Sequence, residues 1–261
     1  IVAALGRIYL GPSVINVGKD RAFKDIQSAW NSLIGKMVLS PTKILVDEGT
    51  YQLSSTLWLN RLPTPHLITV EGSLANPSSV VLDGDSLINA PLVQLNGQGA
   101  AGVTFQGFTV TGSPGASACI FVGWGAYAIL AALELRGCKY GLQAVEATVS
   151  ASSARVTAQV PIYASRARID IVGATLVGML ASSSGIHADF DSVVILQGIT
   201  SFLSVAQAVY CAYGGRTNMD VATYDANVTY KFVALDCLQA CGPFGTSGAY
   251  ACKSGTVMIP T

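Results

Sequence analysis

Apolar residues in this chain alternate with polar ones at period two, in short runs broken by Gly, Ala, Ser or Asn. Such alternation marks strands with one buried face. The runs also recur. From Leu92 the chain reads LVQLNGQGAAGVTFQGFTVTG, and from Ile120 IFVGWGAYAILAALELRG. From Leu142 it reads LQAVEATVSASSARVTAQ, from Ile162 IYASRARIDIVGATLVG and from Ile186 IHADFDSVVILQGITSF, with a weaker copy from Val209. Successive starts lie 28, 22, 20, 24 and 23 residues apart. Three short strands with their turns fill ~20–25 residues, the length of one solenoid coil. A leucine-rich repeat would need Leu at fixed positions and an Asn ladder, and neither is present. A β-sandwich would need hairpin turns, yet the one Asn-Gly step, Asn96-Gly97, sits in a Gly-rich stretch. The pattern predicts an all-β fold, a right-handed parallel β-helix, with strands from about 43 to 235. Ile44, Val46, Leu57, Val70, Val81, Phe105, Leu133, Ile169 and Ile195 are expected to face inward.

The first third reads differently. Phe23, Ile26, Trp30 and Leu33 fall at helical spacing, giving one amphipathic helix that ends near Gly35. The run TKILVDEGTYQLSSTLWLN then alternates, with a turn at Asp47-Glu48-Gly49, and LITVEGS and VVLDGDS supply two more strands. A short helix here would cap the open end of the core and cover strand edges. The expected division is 1–60 for the capping segment, 61–235 for the coils and 236–261 for an irregular C-terminal segment.

Composition sharpens the picture. Only 11% of residues are charged, the net charge is zero and the mean hydropathy is +0.48, against about 25% charged in an average chain. No apolar run approaches the roughly 18 residues of a spanning helix, so membrane insertion is not expected. The excess apolar surface calls for a homo-oligomer, with a trimer of side-by-side subunits as the expectation. A neutral chain without a basic block offers nothing to neutralise phosphates, which excludes nucleic acid. No leader is visible, and an opening on Ile1 reads as a piece of a longer or processed chain. Six cysteines without a CxxC pair, and two His, argue against zinc; small buried thiols are expected, with Cys237 and Cys241 able to close a loop. No metal or cofactor is expected, and Asp83-Gly84-Asp85 reads as a tight turn.

The run FKDIQSAW…KILVDEGTY, within residues 23 to about 85, resembles the opening of pectin methylesterases and related pectate-lyase-like β-helix proteins. These begin with a capping helix and a strand ending in Gly-x-Tyr. The low charge and irregular C-terminal part are also similar to phage tail spikes and tail fibres. That likeness implies a trimer on a virion tail that touches host-surface polysaccharide. The esterase resemblance implies two carboxylates and an Arg on the helix exterior. Gln143-Ala144-Val145 and Asp189-Phe190-Asp191 echo two of the family's motifs. Gln52 follows Tyr51 where the pattern has a Glu nearby, and the Gln-Asp motif and the closing Leu-Gly-Arg-Pro-Trp are missing, so esterase activity is not expected.

Two side-chain groups remain. Aligning the coils on Leu142, Ile162 and Ile186 sets Glu146 over Arg166 and Phe190, with Asp189, Asp191, Arg168 and Asp170 close by. Coils ~4.8 Å apart place acids of neighbouring coils within the ~5–9.5 Å of a glycosidase pair. Glu146, Asp189 and Asp191 are therefore the catalytic candidates if the chain is a depolymerase; the bland alternative is a solvated salt-bridge ladder. A second column holds Gln143, Tyr163, His187 and Tyr210. Tyr163, Arg166, Arg168, His187 and Tyr210 are the candidate glycan contacts, because rings with polar tips and forked cations suit sugars. Packing against another subunit is the competing reading. The functional expectation is a tail-fibre or tail-spike module that binds host polysaccharide, with a depolymerase on the same scaffold as the alternative.

Overall fold

The computed structural model describes residues 8–9, 13–179, 184–204, 207–224, 230–235 and 257–260. The chain winds as parallel strands stacked coil on coil around an apolar interior. The first face holds Val14–Val17, Thr42–Val46, Ile68–Glu71 and Val103–Gln106. It continues into the opening halves of five longer strands, Tyr127–Arg136, Thr148–Ala158, Arg168–Gly178, Val193–Leu203 and Arg216–Tyr224. The second face holds Gly49–Gln52, Val80–Gly84 and Thr109–Gly112, and then the closing halves of the long strands. On the third face lie Leu57–Trp58, Val93–Asn96, Ala118–Gly123, Tyr140–Val145, Val160–Ser165, Ser184–Asp189, Gln207–Ala212 and Tyr230–Leu235. Val257–Pro260 pairs antiparallel to the last of these.

Register stacks like on like. Ile15, Ile44, Val70, Phe105, Leu130, Ala151, Ile171 and Leu196 occupy one inward column of the first face. Every member is buried. The third face answers with Val93, Ile120, Leu142, Ile162, Ile186 and Val209, also buried. At ~25 cal/mol per Å² of apolar area, such continuous columns supply most of the driving force for the fold.

The stack begins at Val14, some thirty residues ahead of the alternation read from sequence, because Val14–Val17 pairs in parallel with Thr42–Val46 across the capping segment. Val81 and Ile195 are only partly buried and point away from the core; their neighbours Val80, Leu82, Val194 and Leu196 fill it. In a β-branched run the phase of a period-two pattern is ambiguous, and a shift of one residue exchanges the faces. The other seven inward positions are buried as expected.

The capping helix, α1, spans Ile26–Asn31, shorter than its apolar spacing suggests. Asp25 caps it by accepting from the Ser28 amide at 2.7 Å. Ile26, Ala29 and Trp30 are buried, and the Trp30 indole donates to the Asn60 carbonyl at 2.9 Å. Cys119 and Cys138 form a disulfide, with Cα atoms 5.6 Å apart. This corrects the expectation of reduced thiols there: the 19-residue separation returns the chain after nearly one coil, so both sulfurs meet at the entrance to the third face. Cys211 is a buried thiol 3.3 Å from Thr217 Oγ1, and Cys237, Cys241 and Cys252 lie outside the described residues.

Two corners need a left-handed backbone. Between the first and second faces it falls on Gly107, Ala132, Ser153 and Gly173, with φ of 76°, 48°, 52° and 61°. After the third face it falls on Gly97, Trp124, Glu146, Arg166, Phe190 and Tyr213. The second series carries the candidate chemistry.

Candidate functional site

On the third face, side chains alternate inward and outward, and register aligns the outward ones into a column. From the capped end it runs Trp58, Gln94, Phe121, Gln143, Tyr163, His187 and Tyr210. The last four are the column read from sequence. Gln94 and Phe121 are buried, whereas Gln143, Tyr163, His187 and Tyr210 are partly open. Rings in the open part touch in series: Tyr140 with Tyr163 at 4.9 Å between centroids, Tyr163 with His187 at 5.2 Å, and His187 with Tyr210 at 4.6 Å.

Asp189 ends the strand beside this column and is only 7% exposed. The Tyr163 hydroxyl donates to its Oδ2 at 3.1 Å, and His187 Nε2 stands 3.6 Å from the same oxygen. Asp189 Oδ1 is buried with no hydrogen-bond partner among the described residues. Burial pushes the Tyr163 phenol up to about 12, with the Asp189 charge adding to the effect. Burial pulls His187 below its ordinary value, and the Asp189 charge opposes it. At neutral pH the cluster thus holds a protonated phenol, a neutral imidazole and, between them, an acid with one unused oxygen. Neutral imidazole beside a buried acid is equipped for proton transfer.

Glu146 and Asp191 sit elsewhere. Trp124, Glu146, Arg166, Phe190 and Tyr213 all have φ between 47° and 52° and stack at the corner leaving the third face. Arg166 donates to Glu146 at 2.6 Å and lies over the Phe190 ring at 5.8 Å. Phe190 and Tyr213 stack nearly parallel, 5.3 Å apart. Arg168 begins the next first-face strand and donates to Asp170 at 3.0 Å. Asp191 is an extra residue in its turn, with φ of 61°, and it carries its carboxylate past the corner. Beside the corner runs an open groove of about 690 Å³, lined among others by Tyr127, Glu146, Arg166, Arg168 and Asp191.

The structure therefore divides the acidic patch. Glu146 and Asp191 share the groove, while Asp189 faces the third-face column. The reason is local: Phe190, in the left-handed region, turns the chain between the two aspartates. Of the candidate glycan contacts, Tyr163, His187 and Tyr210 stand together on the third face, and Arg166 and Arg168 at the groove. Sequence reading misses Tyr127 and Tyr213, and gives Trp124 only as a core or interface ring, whereas that ring is 55% exposed. A constant offset would have found the last two: Trp124, Glu146, Arg166, Phe190 and Tyr213 each lie four residues after the aligned apolar position of their coil.

No family model matches the chain, and no curated protein matches it in sequence. Solved structures do. A pectin methylesterase from carrot superposes with a TM-score of 0.68 at 10% identity, covering 91% of this chain and 85% of that one. The rice weevil enzyme gives 0.64 at 10% identity, covering 97% and 87%. A third, from Yersinia enterocolitica, gives 0.56 at 11%, covering 91% and 86%. The fold is the right-handed parallel β-helix of pectin methylesterases. Identity this low establishes architecture and leaves chemistry to the residues. The two motif echoes, at Gln143 and at Asp189 to Asp191, fall two coils apart on the third face and its exit corner. The coil between them carries Tyr163, Ala164 and Ser165 at the matching rungs, and no carboxylate.

Proposed function

We propose that this chain is a polysaccharide-active protein, a depolymerase whose working surface is the outer third face. The observation that carries the reading is the Tyr163–Asp189–His187 cluster, set in an open column of rings. The column provides apolar faces with polar tips for a sugar chain. Asp189 stands 3.6 Å from the imidazole. Neutral His187 takes a proton from a water as the water oxygen bonds to the anomeric carbon, the glycosidic C–O bond breaks and the leaving oxygen takes up a proton from solvent. Tyr163 keeps its proton throughout the neutral range and helps to hold the Asp189 charge in place. Glu146 and Asp191 contribute to binding in the groove, since Glu146 is already engaged by Arg166.

The test is to incubate the protein with capsular, O-antigen and plant-wall polysaccharides and to measure new reducing ends and unsaturated products. Cleavage is expected, abolished in Asp189→Asn and His187→Ala and retained in Glu146→Gln. Cleavage lost only in Glu146→Gln would transfer the chemistry to the groove. No product from any substrate would end the depolymerase reading.

A second reading is a trimeric tail-fibre or tail-spike module that presents the same surface to a host without cleaving it. Exposed apolar side chains such as Leu39, Ile88 and Val172, at 62%, 69% and 51%, support a subunit partner. The Cys119–Cys138 disulfide weighs the other way, toward a chain secreted into an oxidising compartment. Sedimentation of the purified protein separates the two: a trimer at micromolar concentration favours the tail module, and a monomer favours the secreted enzyme.

A further inference from the structure

The corner that leaves the third face holds side chains that its backbone does not favour. A left-handed residue other than Gly, Asn or Asp is strained, and strain that persists points to a use for the side chain. The corner between the first and second faces meets the same demand with Gly107, Ala132, Ser153 and Gly173. Here, in five successive coils, the position is taken by Trp, Glu, Arg, Phe and Tyr. These side chains do not fill the core. Trp124 is 55% exposed, Phe190 43% and Tyr213 60%.

We propose that this corner is a binding strip for a neutral polysaccharide chain lying along the helix axis, distinct from the Tyr163–Asp189–His187 cluster. Coils ~4.8 Å apart set Trp124 and Tyr213, the two most exposed rings of the strip, about 19 Å from each other. That is far enough for separate sugar rings to pack on each, while the Phe190 ring is held between Arg166 and Tyr213. Between the two exposed rings the Glu146–Arg166 pair offers an acceptor and several donors to hydroxyl groups. The open groove beside the strip gives the chain a bed. Charge selects the class of ligand. Arg166 and Arg168 are bound to Glu146 and Asp170, and Asp191 adds another negative charge to the groove. A uronate chain would meet no spare cation among the residues that line the groove, and it would meet the added Asp191 charge; a neutral one meets no such repulsion and finds exposed rings. The proposal rests on the reading of the chain as polysaccharide-active and adds to it where, and what kind of, chain is held.

The experiment compares binding of dextran, galactomannan and xylan with that of polygalacturonate and alginate, by affinity electrophoresis and calorimetry. The variants are Trp124→Gly, Phe190→Gly and Tyr213→Gly, singly and combined. Loss of the Trp124 or the Tyr213 ring is expected to weaken binding of the neutral chain about tenfold, and loss of Phe190, which backs Tyr213, by less. The melting temperature should hold within about 4 °C or rise, because glycine relieves the left-handed strain. Phe190→Tyr and Tyr213→Phe keep the rings and should keep the affinity. Melting temperatures that fall sharply with unchanged affinity would make the rings structural and overturn the proposal. So would binding of acidic chains alone; in that case cleavage of those chains would leave the depolymerase reading intact. A protein that neither binds nor cleaves any of the polysaccharides would defeat both.

Discussion

Gly107, Ala132, Ser153 and Gly173 take the left-handed step between the first and second faces, while Trp124, Glu146, Arg166, Phe190 and Tyr213 take it on leaving the third. Backbone demand is the same at both corners; the side chains are opposite in size. At the first corner the fold explains the residues. Gly107 has no alternative, since a Cβ there would lie 2.8 Å from the Ser73 carbonyl carbon and 3.0 Å from its amide nitrogen. At the second corner the side chains form a ladder, Glu146 with Arg166, Arg166 with Phe190 and Phe190 with Tyr213, yet Trp124 and Tyr213 remain more than half exposed. Structural positions are recognised where chemistry and geometry agree, and functional ones where they conflict.

The sharpest way to break this comparison is at Gly107. Gly107→Val joins left-handed strain to overpacking and should destabilise by roughly 2–5 kcal/mol, read as a lower urea midpoint. A mild effect would mean that the first corner is softer than its geometry implies. Gly173 shares the conformation, but a Cβ added there would meet nothing within 4 Å; Gly173→Ala should therefore cost only about 1–2 kcal/mol. Ser153→Gly runs the other way, and a gain of about 0.5–1 kcal/mol is expected once the greater freedom of the unfolded chain is offset. If Ser153→Gly destabilised instead, the left-handed step would carry no strain, and the contrast between the corners would lose its meaning.

The smallest expected effect is a pH dependence on the third face. Burial lowers His187 in the folded protein. As pH falls below the ordinary histidine value near 6.5, the unfolded chain takes up a proton that the folded one resists, so stability falls with pH in that window. His187→Phe should flatten the acid limb of a melting-temperature profile. Tyr163 gives the converse at the alkaline end. Its value is raised to about 12, so stability declines as pH rises from about 10 toward that value, and Tyr163→Phe should remove this decline. Profiles identical to wild type in both variants would mean that the cluster is more open to water than its burial indicates.

Much of this architecture is legible in the sequence. The lag between Leu92, Ile120, Leu142, Ile162, Ile186 and Val209 matches the register of the third face from Ile120 onward, where those residues pair directly. Only the first start is off, by one residue, since Val93 rather than Leu92 pairs with Ile120. The column of Gln143, Tyr163, His187 and Tyr210 follows from the same lag. The division between Asp189 and Asp191 does not. Periodicity treats a turn as a spacer, whereas a left-handed residue in that turn redirects the side chains on either side of it. Turn lengths also vary, with Asp191 an extra residue compared with the coil of Arg166, and counting along strands cannot register such an insertion. The disulfide was hidden for a related reason: cysteine spacing does not determine which sulfurs a turn brings together.

The reversed strand Val257–Pro260, laid against Tyr230–Leu235, has a consequence for growth. A solenoid can in principle be lengthened without limit, because every coil offers the next a parallel template. An antiparallel strand spaces its hydrogen bonds in alternating narrow and wide pairs, a pattern that another parallel coil does not continue. On this face the edge of the last parallel strand is already paired, so that strand is not itself a free template for another chain.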